Sequence, residues 1–373
     1  MRKALFRTYK IRGVSLLPIL MMKARNHILC LLCMLSVMIT AGCRGIIVHE
    51  YPGQDGGEIV DPTLINLNIR ITPCPLFSFS EDAALRVETS DYYPESEHSV
   101  RYILELRVNE SFNTDLVYRE IITTTEDHLQ DVIERSFSLH ALHYKVLVWQ
   151  DLTDSAAPEA DYWFHTGPLT AIKVYEKNLY AGGGDSKQVS SAGQEMDLSP
   201  YMDDWNINLD IEVPLIRPES KYIIVSSDLQ KFTKSYIANY PTKTDLTPEQ
   251  IFEKCKMRVV YNGYLPTGYN VSTGLLNDSQ GGYGYDFEVK TIGNEAAIVA
   301  FDYVLTGPTP TSVNVGLVLY GEDGAVLNSV SSINVPLTRN KITVVSGEYL
   351  TREYGGGVGI DSDFDGEFNI IVP

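Results

Sequence analysis

From residue 64 onward the chain is written mostly in a period of two. Ile65, Leu67, Ile69 and Ile71 alternate with Asn66, Asn68 and Arg70, which puts one face of a strand on a core and the other in water. Further alternating or β-branched runs span 101–108, 116–122, 132–139, 144–150 and 169–175. Turn-rich text such as Asp91-Tyr92-Tyr93-Pro94 and Asp154-Ser155-Ala156-Ala157-Pro158 separates them. Short strands at that spacing predict an antiparallel sandwich and not a βαβ sheet. This first domain is expected to close by about Tyr180.

A Gly-rich polar stretch follows, from Ala181-Gly182-Gly183-Gly184-Asp185-Ser186 on to Gly193. A phosphate cradle would need Gly-x-x-x-x-Gly-Lys-Ser/Thr between a strand and a helix. Neither the lysine spacing nor the helix is present, so the stretch reads as a loop. The second half begins where Ile207, Leu209, Ile211 and Val213 alternate with Asn206, Asn208, Asp210 and Glu212. Strands are predicted after it at 221–227, 257–264, 285–290, 296–304, 313–320, 326–335, 341–345 and 368–372, with Glu322-Asp323-Gly324 as a hairpin turn. One helix is predicted: Thr247 is its N-cap, Pro248 its first residue and Gln250 completes a capping box ahead of Ile251 and Phe252. The expected class is all-β, with an N-terminal sandwich over 64–196 and a C-terminal sandwich over 197–373 that carries one short inserted helix.

Residues 1–63 lack this pattern. Lys23 and Arg25 precede an apolar run of 12 residues from Ile28 to Ile39, shorter than the ~20 a spanning helix needs. It reads as an export signal. Ala41, Gly42 and Cys43 then resemble a lipobox, although Thr40 stands where leucine is usual and Ile39 lies one place further back. The expectation is removal of residues 1–42, acylation of Cys43 and a membrane tether; the alternative is a secreted protein cut at the same small residues. Met21 and Met22 offer later starts. Residues 43–63, with Tyr51-Pro52-Gly53-Gln54-Asp55-Gly56-Gly57, form the flexible part of the tether.

Charge narrows the partners. The chain holds 48 acidic against 30 basic residues, and seven of the basic ones lie in the signal segment. Such a surface repels phosphate backbones, and no basic stripe with interleaved aromatics occurs, which argues against nucleic acid. Of five cysteines, Cys30 and Cys33 lie in the signal and Cys43 is the anchor, leaving Cys74 and Cys255. A disulfide between them and two separately buried thiols both stay open.

Ordered motifs then carry a family resemblance. Tyr144-Lys145-Val146-Leu147-Val148-Trp149-Gln150-Asp151 with Tyr162 and Leu169 is followed by Val213-Pro214-Leu215-Ile216-Arg217-Pro218 and Lys221-Tyr222. Next come Tyr264-Leu265-Pro266, Tyr269-Asn270-Val271 and Phe301-Asp302-Tyr303-Val304, then Val335-Pro336-Leu337-Thr338-Arg339-Asn340, Gly347, Leu350-Thr351 and residues 360–366. In this order, and with Cys43 and His49-Glu50-Tyr51-Pro52 ahead of them, they resemble the Bacteroidetes fimbrial-subunit family, with its FimB-type fimbrillin-associated anchor and accessory lipoproteins. One departure is His140-Ala141-Leu142-His143, where the family tends to have a Pro-x-Gly turn. The resemblance implies two consecutive transthyretin-like antiparallel sandwiches and a lipoprotein carried to the outer membrane. It also implies a fimbrial anchor, accessory or tip subunit that meets partner fimbrillins by β-strand addition. The alternative is a surface lipoprotein that binds glycan or host protein.

Other groupings point to chemistry less well. Asp361-Ser362-Asp363-Phe364-Asp365-Gly366 copies the first half of a calcium loop, but the twelfth position, which should be a bidentate acid, is Val372. It reads as an acidic turn before a last strand. His140 and His143 have metal-like spacing only on a helix, and the surrounding pattern is strand and turn. Trp149, Trp163 and Trp205 have the rings to stack on sugars, but aromatic strand positions more often fill cores. Asp154-Ser155-Ala156 resembles a short envelope O-glycosylation acceptor. No nucleophile elbow or placed catalytic cysteine occurs, so no enzyme, cofactor or metal site is expected.

Overall fold

The computed structural model describes residues 64–74, 98–109, 115–125, 128, 130–175, 182–204, 207–240, 246–351 and 369–371, all within the unit formed by residues 63–373. The expected signal segment, Cys43, the expected tether, Trp205 and the acidic stretch 361–366 lie outside the described residues.

The chain is all-β, and its strands pack as sandwiches. In the first, β1 (Leu64–Thr72) lies between β4 (Ile133–His140) and β9 (Asn208–Pro214). The facing sheet runs β3 (Leu116–Thr125), β2 (His98–Val108), β5 (His143–Asp154), β8 (Val189–Asp197). Their shared core takes Ile65, Leu67, Ile69 and Ile71 from β1 and Val100, Tyr102, Leu104, Val146 and Val148 from the facing strands. Burial of a side chain of this size stabilises by about 1.5–3 kcal/mol, so β1 is a principal contributor to this core.

In the second sandwich, β15 (Lys290–Ile292), β16 (Ala296–Leu305), β10 (Glu219–Ser226), β19 (Ile342–Gly347) and β20 (Asn369–Ile371) form one sheet in that order. The other runs β14 (Gly284–Phe287), β11 (Lys256–Tyr261), β17 (Thr311–Tyr320), β18 (Val326–Leu337). A further sheet of β13 (Leu275–Gly281), β12 (Tyr264–Asn270), β7 (Ile172–Val174) and β6 (Phe164–His165) contributes Phe164, Ile172 and Tyr269 to a third cluster. That cluster also holds Ile103, Leu147 and Trp149 from β2 and β5. The β2–β5 pair is therefore covered on both faces, and seven consecutive residues of β2 are buried.

Several sequence expectations change. The strand at 207–213 forms, but its partner is β1, in parallel, with Leu67 opposite Leu209. β10 and β19 also pair in parallel, so among the described residues the expected antiparallel order has two exceptions. Alternation is the same in both pairing modes, so periodicity cannot distinguish them. The Gly-rich stretch is a loop only in its first half, and Val189–Asp197 is β8, paired along β5. Its polar composition hides it: Gly193 lies where a Cβ would come 2.3 Å from the Val271 carbonyl oxygen. The run at 257–264 divides into β11 and the start of β12.

The predicted helix is present as α2 (Pro248–Phe252), with its capping box formed by Thr247 and Gln250. A longer helix, α1 (Leu229–Asn239), precedes it. Its buried Leu229, Phe232 and Tyr236 recur at helical spacing, and the Phe232 ring stacks on Phe252 with centroids 5.4 Å apart. Among the described residues no helix is long and apolar enough to cross a membrane.

Truncation on the inward face of β1 is expected to separate sharply from truncation on its outward face. Ile69→Ala should cost about 2–5 kcal/mol and Asn68→Ala no more than ~0.5 kcal/mol, read from denaturant unfolding followed by tryptophan fluorescence.

Candidate functional site

Two places combine chemistry with position: the slot filled by β1, and a buried polar junction built around β10 and β16. In the slot, β1 is paired from Leu64 to Ile71 with β4 and from Asn66 to Thr72 with β9. Its inward side chains Ile65, Leu67, Ile69 and Ile71 are at most 2% exposed. The outward face is tied by cross-strand polar pairs. Asn68 Nδ2 donates to Asp210 Oδ1 at 3.1 Å, Ser138 Oγ donates to Asn66 Oδ1 at 3.2 Å, and Arg70 Nε lies 3.0 Å from Glu134 Oε1. The first strand of the described residues is thus a central strand.

At the junction, the 3-10 turn Asp185–Lys187 brings the Lys187 ammonium 3.1 Å from Asp302 Oδ1 on β16. Glycines make the approach possible: a Cβ at Gly182 would sit 2.4 Å from the Tyr285 ring, and Gly183 takes a φ of +77° that disfavours larger residues. Asp302 Oδ1 also accepts from the Tyr303 backbone N–H at 2.8 Å, and Oδ2 accepts from Tyr261 Oη at 2.7 Å. Tyr222 Oη lies 2.8 Å from Tyr261 Oη and 3.2 Å from Tyr285 Oη; burial and the nearby Asp302 charge hold the Tyr222 phenol well above its ordinary range. Lys221, also buried, lies over the Phe301 and Tyr303 rings.

Glu219 completes this region. Its Oε1 accepts from the Val189 backbone N–H at 3.1 Å. Burial pushes its carboxyl up to about 8; the Val189 N–H and the Arg217 and Lys187 charges pull the other way, while Asp302 adds to the rise. Arg217 reaches Gln188 Oε1 and the Cys74 thiol, and with Gln150 and Asp151 these line a cleft of about 20 Å³, room for about one water.

Asp151, at the edge of that cleft, accepts a bidentate contact from Arg101, 2.9 and 2.7 Å, and Arg101 makes a third contact to Asp161 at 3.1 Å. Burial opposes the guanidinium charge, but Asp151 and Asp161 outweigh it and raise the Arg101 pKa above its ordinary value. Trp149 Nε1 donates to Asp151 as well.

Residues 63–373 match the model of a family described as a family of unknown function (DUF6562). The chain belongs to that family. A comparison with curated proteins finds no match. Among solved structures, this DUF6562 chain is similar to the fimbrial anchor protein Mfa2 from Porphyromonas gingivalis, at 11% identity and a TM-score of 0.41, covering 76% of this chain and 90% of that one. A candidate cell adhesion protein from Bacteroides eggerthii is similar at 9% identity and 0.42, over 84% of this chain and 97% of that one. A candidate polysaccharide-binding protein from Bacteroides thetaiotaomicron is similar at 9% and 0.40, over 76% and 93%. At such low identities these likenesses carry no functional argument.

The structure separates several residues that the sequence groups together. His140 ends β4 and His143 begins β5, in opposite sheets, with Ala141 and Leu142 making the crossing. His143 Nε2 lies 3.4 Å from Glu195. Among the described residues no group of three or more His, Cys, Asp or Glu is placed to hold a metal. Cys74 belongs to the first core and Cys255 packs against the second, with no disulfide between them. Trp149 is a core residue, edge-on to Phe164 with ring centroids 5.3 Å apart. Asp154 and Ala156 lie on an exposed turn in which the Ala156 N–H donates to Asp154 Oδ1. Lys187, Glu219 and the pairing of Arg101 with Asp151 carry no sequence motif.

Two expectations follow from these buried charges. Arg101→Ala should destabilise by about 3–5 kcal/mol because it strands the Asp151 carboxylate, whereas the apolar double replacement Arg101→Met with Asp151→Leu should cost less than the single change; chemical denaturation of the three proteins measures both. The folded state binds the Glu219 proton more tightly than the unfolded chain does. The stabilisation this gives is complete below pH ~4.5 and is lost as pH rises toward about 8. Glu219→Gln should flatten that slope in a pH series of thermal midpoints.

Proposed function

We propose that this chain is a lipid-anchored outer-membrane subunit of a fimbrium, in an anchor, accessory or tip position, that meets neighbouring fimbrillins by strand addition and not by catalysis. The observation that carries the reading is the place of β1. The leading strand of the described residues sits between β4 and β9 with its apolar side chains inside and its main chain paired along both edges. A strand delivered by a neighbouring subunit offers the same main-chain groups and the same alternation, which is how one subunit completes another. The ordered motifs from Tyr144 to Leu350-Thr351, with their resemblance to the Bacteroidetes fimbrial subunits and FimB-type lipoproteins, support the fimbrial setting.

Cys43 favours the anchor position within this reading. With acyl chains on Cys43, β1 is the first described strand after the anchor, and a cut beyond it would release the body from the membrane. Arg70 is half-exposed, but both edges of its strand are paired. A trypsin-like protease that needs an extended, unpaired segment reaches it only when β1 is drawn from the sheet. Two sandwiches complete the proposal: the first, carrying the membrane end, takes β9 (Asn208–Pro214) from beyond the boundary expected at residue 196, and the second is built from the strands that follow.

The test is the mass of the N-terminal peptide of the protein isolated from cell envelopes. The expected species is an acylated Cys43 peptide continuous with residues 65–71. An unacylated cytosolic protein that keeps residues 1–42 would overturn the proposal, and a new N-terminus beyond β1 would replace the anchor by a polymerising subunit.

A further inference from the structure

Lys187 and Asp302 stand 115 positions apart in sequence yet meet at 3.1 Å, with side chains 4% and 0% exposed. Water is kept from both. An ion pair so placed carries a desolvation penalty that mutual attraction repays only in part. A neutral amide between the same two side chains removes both charges and releases a water molecule to solvent.

The surroundings favour that outcome. The amine nitrogen touches Oδ1, one bond from the carboxyl carbon, so the reacting atoms are already close to an attack distance. Both carboxyl oxygens are held by donors, the Tyr303 backbone N–H on Oδ1 and the Tyr261 hydroxyl on Oδ2. Those donors draw electron density from the carbon and stabilise charge that builds on oxygen during attack. The Tyr261 hydroxyl in turn contacts Tyr222 Oη, a short chain along which a proton can move. Glu219, 1% exposed, interacts with the charges of both Lys187 and Asp302 and stays largely protonated at neutral pH because of its burial, so a buried acid is at hand.

We propose that Lys187 and Asp302 condense to an intramolecular isopeptide bond. The Lys187 ammonium gives up a proton within the buried cluster, and its nitrogen lone pair forms a bond to the Asp302 Cγ. The bond from Cγ to one carboxyl oxygen breaks. That oxygen leaves as water with the two protons that the nitrogen has lost, and the other oxygen becomes the amide carbonyl. Charge, atoms and electrons balance with no oxidant or co-reactant. The bond closes a covalent loop that fastens the Gly-rich segment before β8 to the middle of β16, so the connection survives even where the strands separate.

Peptide mapping of the full chain, denatured and digested with a protease, tests the proposal. The expected result is a branched species joining the peptide that contains Lys187 to the one that contains Asp302, lighter than their sum by one water. That species should disappear in Lys187→Met, and on a denaturing gel the wild-type chain should run as the more compact of the two. Recovery of both peptides unjoined from the wild-type protein would overturn the proposal, and so would a joined species that persists in Lys187→Met. The wild-type map alone decides the question if the variant does not fold.

Discussion

The structure depends on the main-chain pairing of β1 along both of its edges. A central strand has no freedom to slip: a shift of one residue would turn Ile65, Leu67, Ile69 and Ile71 outward and drive Asn66, Asn68 and Arg70 into the core. Because β9 comes from far along the chain, the first sandwich closes only after the polypeptide has returned across it. That constraint gives the first described strand an influence out of proportion to its length.

Coverage of the β2–β5 pair on both faces is the second determinant. With Tyr102 and Leu104 facing one core and Ile103 and Trp149 the other, any polar side chain on these strands must find its partner inside the protein. Arg101 and Asp151, opposite one another in register, do so directly. Glu105 does so with Arg107 and Arg119. The polar interior around β10 and β16 follows the same rule, with Lys187, Asp302 and three tyrosine hydroxyls satisfying one another. Buried charges on this scale are costly as free ions and acceptable as closed networks.

The proposed strand addition and the proposed isopeptide bond are compatible within one chain because they occupy different places. The slot of β1 presents main-chain groups and apolar side chains, which suit a strand of repetitive pattern. The junction presents a few side chains shielded from solvent, which suits a permanent fastening. Arg339, donating to Tyr269 Oη and to the Arg217 carbonyl, links the third cluster to the segment that leads into β10.

The alternation from Ile65 onward, the Glu322-Asp323-Gly324 turn and the Thr247 capping box were legible in the residues themselves, because each depends on neighbours only a few positions away. They determined the all-β class, most strands and the short helix α2. Strand partners were decided only in three dimensions: alternation reads the same for parallel and antiparallel neighbours, so nothing local places β9 beside β1 or β19 beside β10. β8 was hidden because its small and polar residues give no alternating apolar face, and Gly193 among them lies against the Val271 carbonyl. Helix α1 was hidden because only three of its positions face the core. The meeting of Lys187 with Asp302 had no local signal at all, since proximity between residues so far apart exists only once the sheets have closed.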